Sequence, residues 1–351
     1  MARIVIGATQ VPFVHGGAEW HGEALCRALR QRGFEAEVVK LPFAWDPRPE
    51  VLRSALAWRL LDLTRASESP IDLFIGTRFP SYVAKHPNKV VWLFHQFRQA
   101  YDLHDAGIDG FPDTPEGRAL HEHVVSLDTQ ALRESRRIFT TSKNNQGRLL
   151  RYNGLESELL RLPLEDPETF RSEGWEDYVL SVGRLDRLKR TELLVRAAAH
   201  MGARGRLEIV GLGKDLPKLE ALAESLGVMN RITFRGRVDD QVLRSLYARA
   251  TAVFYAPWDE DYGLVTLEAF HSRKPVVTTK DAGGPLEFVK DQETGLVVPP
   301  DPAAIGQALS RLLAEKDLAR QLGERAYRSV LGLTWDVVVD SLTKTLPASI
   351  P

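Results

Sequence analysis

The sequence predicts an α/β protein built from two doubly wound, Rossmann-like domains in tandem. Three observations carry this expectation. The chain has 351 residues, more than one α/β domain of roughly 150 residues and about the size of two. Short apolar runs of strand length alternate with segments of helical period, the mark of a parallel sheet covered on both faces. The alternation breaks once, between Leu162 and Trp175, and then restarts.

Arg3–Gly7 reads as the first strand, and Ala18–Arg32 as a helix that stops at Gly33. Glu37–Lys40 gives a strand and Val51–Arg65 a second helix. Ile71–Ile75, Val90–Phe94 and Ile138–Thr141 are too short for helices and rich in β-branched or aromatic residues, so they read as strands. The turn-rich stretch Gly107–Gly117, GIDGFPDTPEG, is expected to be a mobile loop after the fourth strand. The break, RLPLEDPETFRSEGW, has two prolines, many charges and no period, which suits an interdomain linker. Beyond it, strands are expected at Tyr178–Val182, Leu207–Val210, Ile232–Phe234, Ala252–Tyr255 and Val276–Thr278. Helices fall near Arg190–His200, Leu216–Leu226, Asp239–Arg249 and Gly263–His271, and a last one at Trp335–Leu346. The expected domains are residues 1–165 and 166–334, followed by a terminal helix at 335–351. In doubly wound sheets ligands lie beyond the carboxyl ends of the strands. The crevice is therefore expected there, facing the cleft between the domains.

Composition narrows the function classes. Apolar residues make up 44% and charged residues 26%, and the formal net charge is −1. No global field then favours nucleic acid or an anionic membrane, and no basic–aromatic stripe marks a nucleic-acid binder. The single cysteine, Cys26, excludes an internal disulfide framework and a Cys-rich zinc site. It lies within an apolar-periodic helix, as a buried inert thiol does. MARIVIGATQ runs directly into a strand without a basic region and apolar stretch, so no signal peptide is read. No run approaches the ~18 apolar residues of a membrane span. A cytoplasmic location follows as the expectation. Val51–Arg65 mixes Leu, Trp and Arg at helical spacing, which fits a core-facing helix with an arginine-bearing outer face and also an interfacial helix on the inner membrane face.

The second domain carries the chemical signal. In EDYGLVTLE, Glu260 and Glu268 are separated by seven residues, and Gly263 opens a helix after the run Ala252–Tyr255. A helix start offers free backbone N–H groups and a positive dipole end, which suit a diphosphate. Glu260 precedes that helix and Glu268 lies within it, where a carboxylate can accept from two vicinal hydroxyls, as on a ribose. In YVLSVGRLDRLKR a strand ends at Gly183, and Arg184 and Lys189 follow. Cations at a strand's carboxyl end sit where a pyrophosphate lies and can neutralise a departing diphosphate. IVGLGKD, with Gly211 and Gly213, follows a strand and admits close backbone approach to a ligand. RGRV, ending at Val238, also follows a strand, where backbone can meet a nucleobase. DAGGPLE, with Gly283, Gly284 and Glu287, is a turn entering a short helix, with structural and ligand-facing readings both open. His95 closes the run Val90–Phe94 and is expected to project into the cleft beyond that strand, with Gln96, Arg98 and Tyr101 expected by their nearness to face the acceptor.

The segments Gly16-Gly17-Ala18-Glu19, VGRL…K, IVGLGKD, FRGRV, Glu260 with Glu268, and KPVV…GGPLEFV…TGLVVPP occur in this order. As a set they resemble the motif series of retaining GT-B glycosyltransferases, in particular glycosyltransferase family 4. The resemblance covers nearly the whole chain and is densest from Tyr178 to Pro300. It implies a GT-B fold, two Rossmann-like domains facing across a cleft, with the terminal helix from Trp335 packed back on the first, acceptor-binding domain. It implies transfer of a hexose from a nucleotide diphosphate sugar, UDP-sugar before GDP-sugar, to a saccharide or lipid-linked acceptor. Glu260, Arg184, Lys189 and His95 would form the catalytic set: Glu260 on the donor sugar hydroxyls, Arg184 and Lys189 on the diphosphate, His95 on the donor sugar. Donor binding would involve Gly16, Gly17, Gly183, Gly211, Gly213, Val238, Tyr262, Gly263, Leu264, Val265 and Glu268. The resemblance also implies retention of configuration, with a leaving-group phosphate oxygen taking the acceptor proton, and no resident cofactor. Asp259-Glu260-Asp261 reads D-x-D, a metal pattern of the other major glycosyltransferase fold. With Arg184 and Lys189 in place of a cation, no metal is expected.

Two rival readings belong to other classes. A nicotinamide dehydrogenase would want G-x-G-x-x-G after a strand, but the first strand leads into GATQVPFVHGGAE, and Gly213 has no glycine three residues on. A non-catalytic nucleotide-sugar-binding protein on the same scaffold would be marked by loss of Glu260, Arg184 or Lys189, and all are present.

Overall fold

Arg3–Gln10 forms the first strand, β1, in which every residue from Ile4 to Thr9 is buried. Such a strand needs cover on both faces, which a parallel sheet between helices provides. The structure, a computed structural model, describes residues 1–11, 17–202 and 205–347, without the side chains of residues 17–20. The chain divides into two units, Met1–Glu165 together with the segment from Leu333 onward, and Asp166–Gly332. Among the described residues no helix is long and apolar enough to cross a membrane.

The first unit adds β2 (Glu35–Pro42), β3 (Leu73–Gly76), β4 (Lys89–Leu93), β5 (Arg137–Thr140) and β6 (Glu158–Leu159). The sheet runs β2-β1-β3-β4-β5-β6 with every neighbouring pair parallel. Its longer helices before residue 160 are α1 (Gly17–Gln31), α2 (Pro49–Leu60), α3 (Pro115–Arg133) and α4 (Lys143–Asn153). Cys26 is buried in α1, its thiol donating to Ala36 O at 3.2 Å, and burial pushes its pKa up.

Two expectations for this unit need correction. The helix expected to run to Arg65 stops at Leu60. The Asp62 carboxylate accepts from Thr64 N at 2.9 Å and Thr64 Oγ1 at 2.6 Å, and that local turn competes with a further helical turn. Arg65–Ala66 then pairs with Ser69–Pro70 as a small hairpin. The two-residue edge strand β6 is too short to show a period and went unpredicted. The segment expected as a mobile loop is fastened at several points: Arg48 bonds Gly110 O at 3.0 Å and the Asp109 carboxylate, and Phe111 is buried against Phe97.

The second unit contains β7 (Tyr178–Val182), β8 (Arg206–Val210), β9 (Ile232–Gly236), β10 (Ala252–Phe254), β11 (Val276–Thr279) and β12 (Gly295–Val298). They pair in parallel in the order β9-β8-β7-β10-β11-β12. The sequence pattern predicts five of these; GLVV of β12, between Thr294 and Pro299, is too short to declare itself. Helices α5 (Thr191–Ala198), α6 (Leu216–Ser225), α7 (Asp240–Arg249), α8 (Leu264–His271), α9 (Pro302–Ala314) and α10 (Lys316–Val330) complete it. Val179, Leu194, Leu207, Phe254, Val277 and Leu309 form part of one core between sheet and helices. The helix expected from Arg190 begins at Thr191, because Arg190 adopts a left-handed conformation at the cap, with φ 51°.

The last helix, α11 (Trp335–Thr343), belongs to the first unit. Trp335 Nε1 donates to Leu164 O at 3.0 Å, and its ring meets Trp92 edge-on at 6.1 Å. Arg32 of α1 bonds Asp336 and Asp340 at 2.9 and 2.7 Å.

Candidate functional site

The carboxyl edge of the second sheet gathers most of the expected residues. After β7, Gly183 leads into a turn that Asp186 closes: its Oδ1 accepts from Leu188 N at 3.0 Å and from Lys189 N at 3.1 Å. That turn aims Lys189 at the next loop, where its Nζ bonds the Glu260 carboxylate and donates to Tyr255 OH at 3.2 Å. Tyr255 OH in turn donates to Glu260 Oε2 at 3.2 Å. The three groups form a closed triangle with little solvent: the Lys189 and Glu260 side chains are 18% and 19% exposed. Burial pulls the Lys189 pKa down, but the Glu260 carboxylate and Tyr255 beside it hold the ammonium above its ordinary value. Burial, then Glu260, pushes the Tyr255 phenol up. Lys189 is therefore a full cation across the physiological range. Arg184 stands apart from the triangle's bonds, 72% exposed and 3.4 Å from Asp186.

The Glu260 loop is braced from β11. Asp259 N donates to Asp281 O at 3.0 Å, Glu260 N to Ala282 O at 2.9 Å, and Gly284 N returns to Glu260 O at 2.7 Å. The motif DAGGPLE is thus the backbone partner of the Glu260 loop. Gly263 caps α8 with φ 86°, and a Cβ there would lie 2.9 Å from Tyr255 Cε1. Only glycine turns the chain this tightly into the helix. The first-turn N–H groups of Leu264 and Val265 have no acceptor four residues back, and Tyr262 packs edge-on against Phe288 at 5.3 Å. Glu268 lies in α8 and accepts from Tyr247 OH at 2.6 Å through Oε2. Burial raises its pKa, against the lowering effect of that bond. Its other oxygen has no protein partner among the described residues.

Gly211, beyond β8, lies against the Gly183 turn: a Cβ would fall 1.8 Å from Gly183 O. Gly213 is equally close to Leu185 O, at 2.1 Å. These glycines are required by loop-on-loop packing, whatever else the loop meets. Leu212 between them is 56% exposed, and Val238 is half-buried just before Asp239 caps α7. No group of three or more His, Cys, Asp or Glu positioned to hold a metal ion occurs among the described residues, the D-x-D at Asp259–Asp261 included.

In the first unit, His95 is half-buried after β4, its Nδ1 3.0 Å from Gln96 O, whereas Gln96, Arg98 and Tyr101, expected to face the acceptor, are buried and bonded to Asn153, Asp102 and Asp128. The preceding Phe94 meets the His21 ring edge-on at 5.1 Å. Gly17 opens α1, while Gly16 lies outside the described residues.

Four residues in these contacts escaped the sequence reading: Tyr255, Tyr247, Arg190 and Asp281. Tyr255 ends the run Ala252–Tyr255 and Tyr247 lies within the helical stretch Asp239–Arg249, so neither stands out from its element. Arg190 stands at the start of the expected helix near Arg190–His200 and carries no mark of its own. Its guanidinium instead bonds Ala256 O, Pro257 O, Thr279 Oγ1 and both oxygens of Asp281, at 2.7–3.0 Å. That pairing holds the Asp281 carboxyl below the usual carboxylate range.

Comparison with known proteins places this geometry. Residues 165–329 match the family model for glycosyl transferases group 1. An uncharacterized glycosyltransferase of Methanocaldococcus jannaschii is 31% identical over 93% of this chain and 92% of its own length. D-inositol 3-phosphate glycosyltransferase of Nocardia farcinica is 34% identical over 50% of this chain, and the match spans 41% of that protein. Among solved structures, the Anabaena HepE protein in complex with UDP and glucose superposes with a TM-score of 0.72 at 16% identity, covering 98% of this chain and 99% of that one. That likeness gives the fold, GT-B. With a near full-length relative and the family model agreeing, the chain belongs to the group 1 glycosyl transferases.

Proposed function

We propose that this chain moves a hexose from a nucleoside diphosphate sugar to a saccharide or glycolipid acceptor in glycan biosynthesis, with retention of configuration and without a divalent metal. The observation that carries the reading is the Lys189–Tyr255–Glu260 triangle beside the Gly263 helix start. Lys189 supplies a fixed cation for the diphosphate and Glu260 an acceptor for sugar hydroxyls, with Arg184 as the solvent-facing second cation. Glu268 presents one carboxylate oxygen for a ribose. Uridine diphosphate is the first choice of donor nucleotide, supported by the UDP bound in the Anabaena relative, and guanosine diphosphate is the second.

In the proposed reaction the acceptor oxygen bonds to the anomeric carbon on the face from which the diphosphate departs. The bond from that carbon to the diphosphate oxygen breaks, and a phosphate oxygen of the leaving group takes the acceptor proton. The protein then needs no side-chain base, and its work is positioning and charge stabilisation. In this reading the first unit takes the acceptor, and His95, half-buried after β4, meets the donor sugar. The proposed setting is the cytoplasm, with peripheral contact to the inner membrane face through α2. That contact is supported by Leu56 and Leu60, which are 53% and 84% exposed on the helix, while Val51, Ala55 and Trp58 face the core.

The test is a screen of UDP- and GDP-hexoses with the purified chain, reading donor hydrolysis and the anomeric configuration of the product by NMR. Release of nucleoside diphosphate that survives excess chelator and yields a retained anomer is the expected result. Melting that rises with NAD but not with any nucleoside diphosphate would return the dehydrogenase reading instead.

A further inference from the structure

Lys189 and Glu260 stand on different loops, one after β7 and the other after β10, and their meeting must be enforced by something other than the strands. Backbone links make part of the connection, with Trp258 N donating to Leu188 O at 2.8 Å. Arg190 makes the rest. It follows Lys189 directly, reaches the loop before Glu260 through Ala256 O and Pro257 O, and grips Asp281 with two bonds at 2.7 and 2.8 Å. The residues around Asp281 are those whose carbonyls hold Asp259 N and Glu260 N. One guanidinium thus spans three strand ends, and its side chain is only 16% exposed. An arginine offers this many donors in a rigid planar fork, which a lysine does not.

The backbone of Arg190 is the second observation. Its φ is 51°, the left-handed region in which a residue with a Cβ is strained. Glycine takes this conformation freely. A position that only had to turn the chain would be served better by glycine, so the side chain at this position must repay the strain through its contacts. Those contacts all converge on the loops of the proposed donor site.

We propose that Arg190, locked by Asp281, is a positioning residue of the transfer reaction, holding Lys189 and Glu260 at the mutual distance that serves diphosphate and sugar together. This rests on the donor-site reading given above. Arg190 touches no substrate in this scheme; it acts through the two loops it joins. Of these two residues, diphosphate binding calls only on Lys189, beside Arg184, whereas turnover needs Lys189 and Glu260 at once. The effect therefore falls on kcat rather than on nucleotide affinity.

The decisive variant is Arg190→Gly, which removes the fork and relieves the backbone. Expected are a melting temperature within a few degrees of wild type, a Kd for the nucleoside diphosphate changed by less than about threefold, and kcat lowered about 10- to 100-fold, as misplaced catalytic groups are. Asp281→Asn, which keeps the shape but weakens the grip, should lower kcat in the same direction by a smaller factor, and Arg190→Lys should not restore it. Wild-type kcat in Arg190→Gly overturns the proposal. So does a variant whose activity loss tracks early melting, which assigns Arg190 to stability alone. Failure of the wild-type chain to bind any nucleoside diphosphate would instead strike the donor-site reading, and it is seen before any variant is made.

Discussion

At the scale of single residues, charge is placed by burial. Lys189 stays protonated because Glu260 and Tyr255 outweigh the cost of its burial, so the proposed site carries a permanent cation. Lys189→Ala should lower donor turnover by ~10²–10³, as lost stabilisers of a developing anion do. Arg184→Ala, removing a solvent-screened charge, should cost less, because exposed pairs contribute little. Steady-state kinetics on both variants measure the order, and equal turnover in Lys189→Ala and wild type would sink the donor site. Tyr247 acts one bond further out, fixing one oxygen of Glu268 at 2.6 Å. Tyr247→Phe should raise the donor KM about five- to tenfold while kcat changes little, and should narrow the preference for UDP over 2′-deoxy-UDP. An unchanged ratio of the two affinities would remove Glu268 from the ribose.

At the scale of elements, loop geometry decides what the strands deliver. Gly263 turns β10's loop into α8 at φ 86°. Gly263→Ala places a Cβ 2.9 Å from the Tyr255 ring and 3.0 Å from Pro285. It should destabilise the chain by about 1–3 kcal/mol and lower activity further than that loss explains, because Tyr255 bonds Lys189 and Glu260. Urea unfolding together with specific activity tests it. On α2, Leu56 and Leu60 project from the solvent side with Arg53, whose side chain is 76% exposed. Replacing both leucines by aspartate should abolish sedimentation with vesicles containing phosphatidylglycerol and leave soluble-substrate kinetics intact. Equal sedimentation of variant and wild type would show that α2 does not touch lipid.

At the scale of the whole molecule, a buried polar network ties the first unit together. Asp128 of α3 accepts from Tyr82 OH at 2.6 Å and from Tyr101 OH, and Asn153 of α4 bonds both Tyr101 OH and Gln96 beside His95. Burial raises the Asp128 pKa to about 6, although the tyrosine and asparagine bonds pull it down. Because the folded state holds this proton more tightly than the unfolded chain, the resulting stability is fully present below pH 3.8 and is lost as pH rises through about 6. That amounts to about 3 kcal/mol across the window. Asp128→Asn should flatten the melting profile between those pH values, and parallel profiles for variant and wild type would contradict the account.

The repeat of strand and helix, the break near residue 165 and the order of the charged motifs were legible in the chain itself. Periodicity and turn chemistry act over a few residues, and Glu260, Glu268, Arg184 and Lys189 lie at spacings that a single loop or helix defines. Cys26 within α1 was legible for the same reason. The two-residue strand β6 and the short β12 were not, because they exist only through the neighbours they pair with. Tertiary structure alone decided that Tyr255 joins Lys189 to Glu260, that Tyr247 holds Glu268, and that Arg190 leaves its helix to grip Asp281. Apart from Tyr255 to Glu260, five residues apart in one loop, these contacts join residues from separate loops or helices, and no local pattern of polarity records which strand ends a parallel sheet will bring side by side.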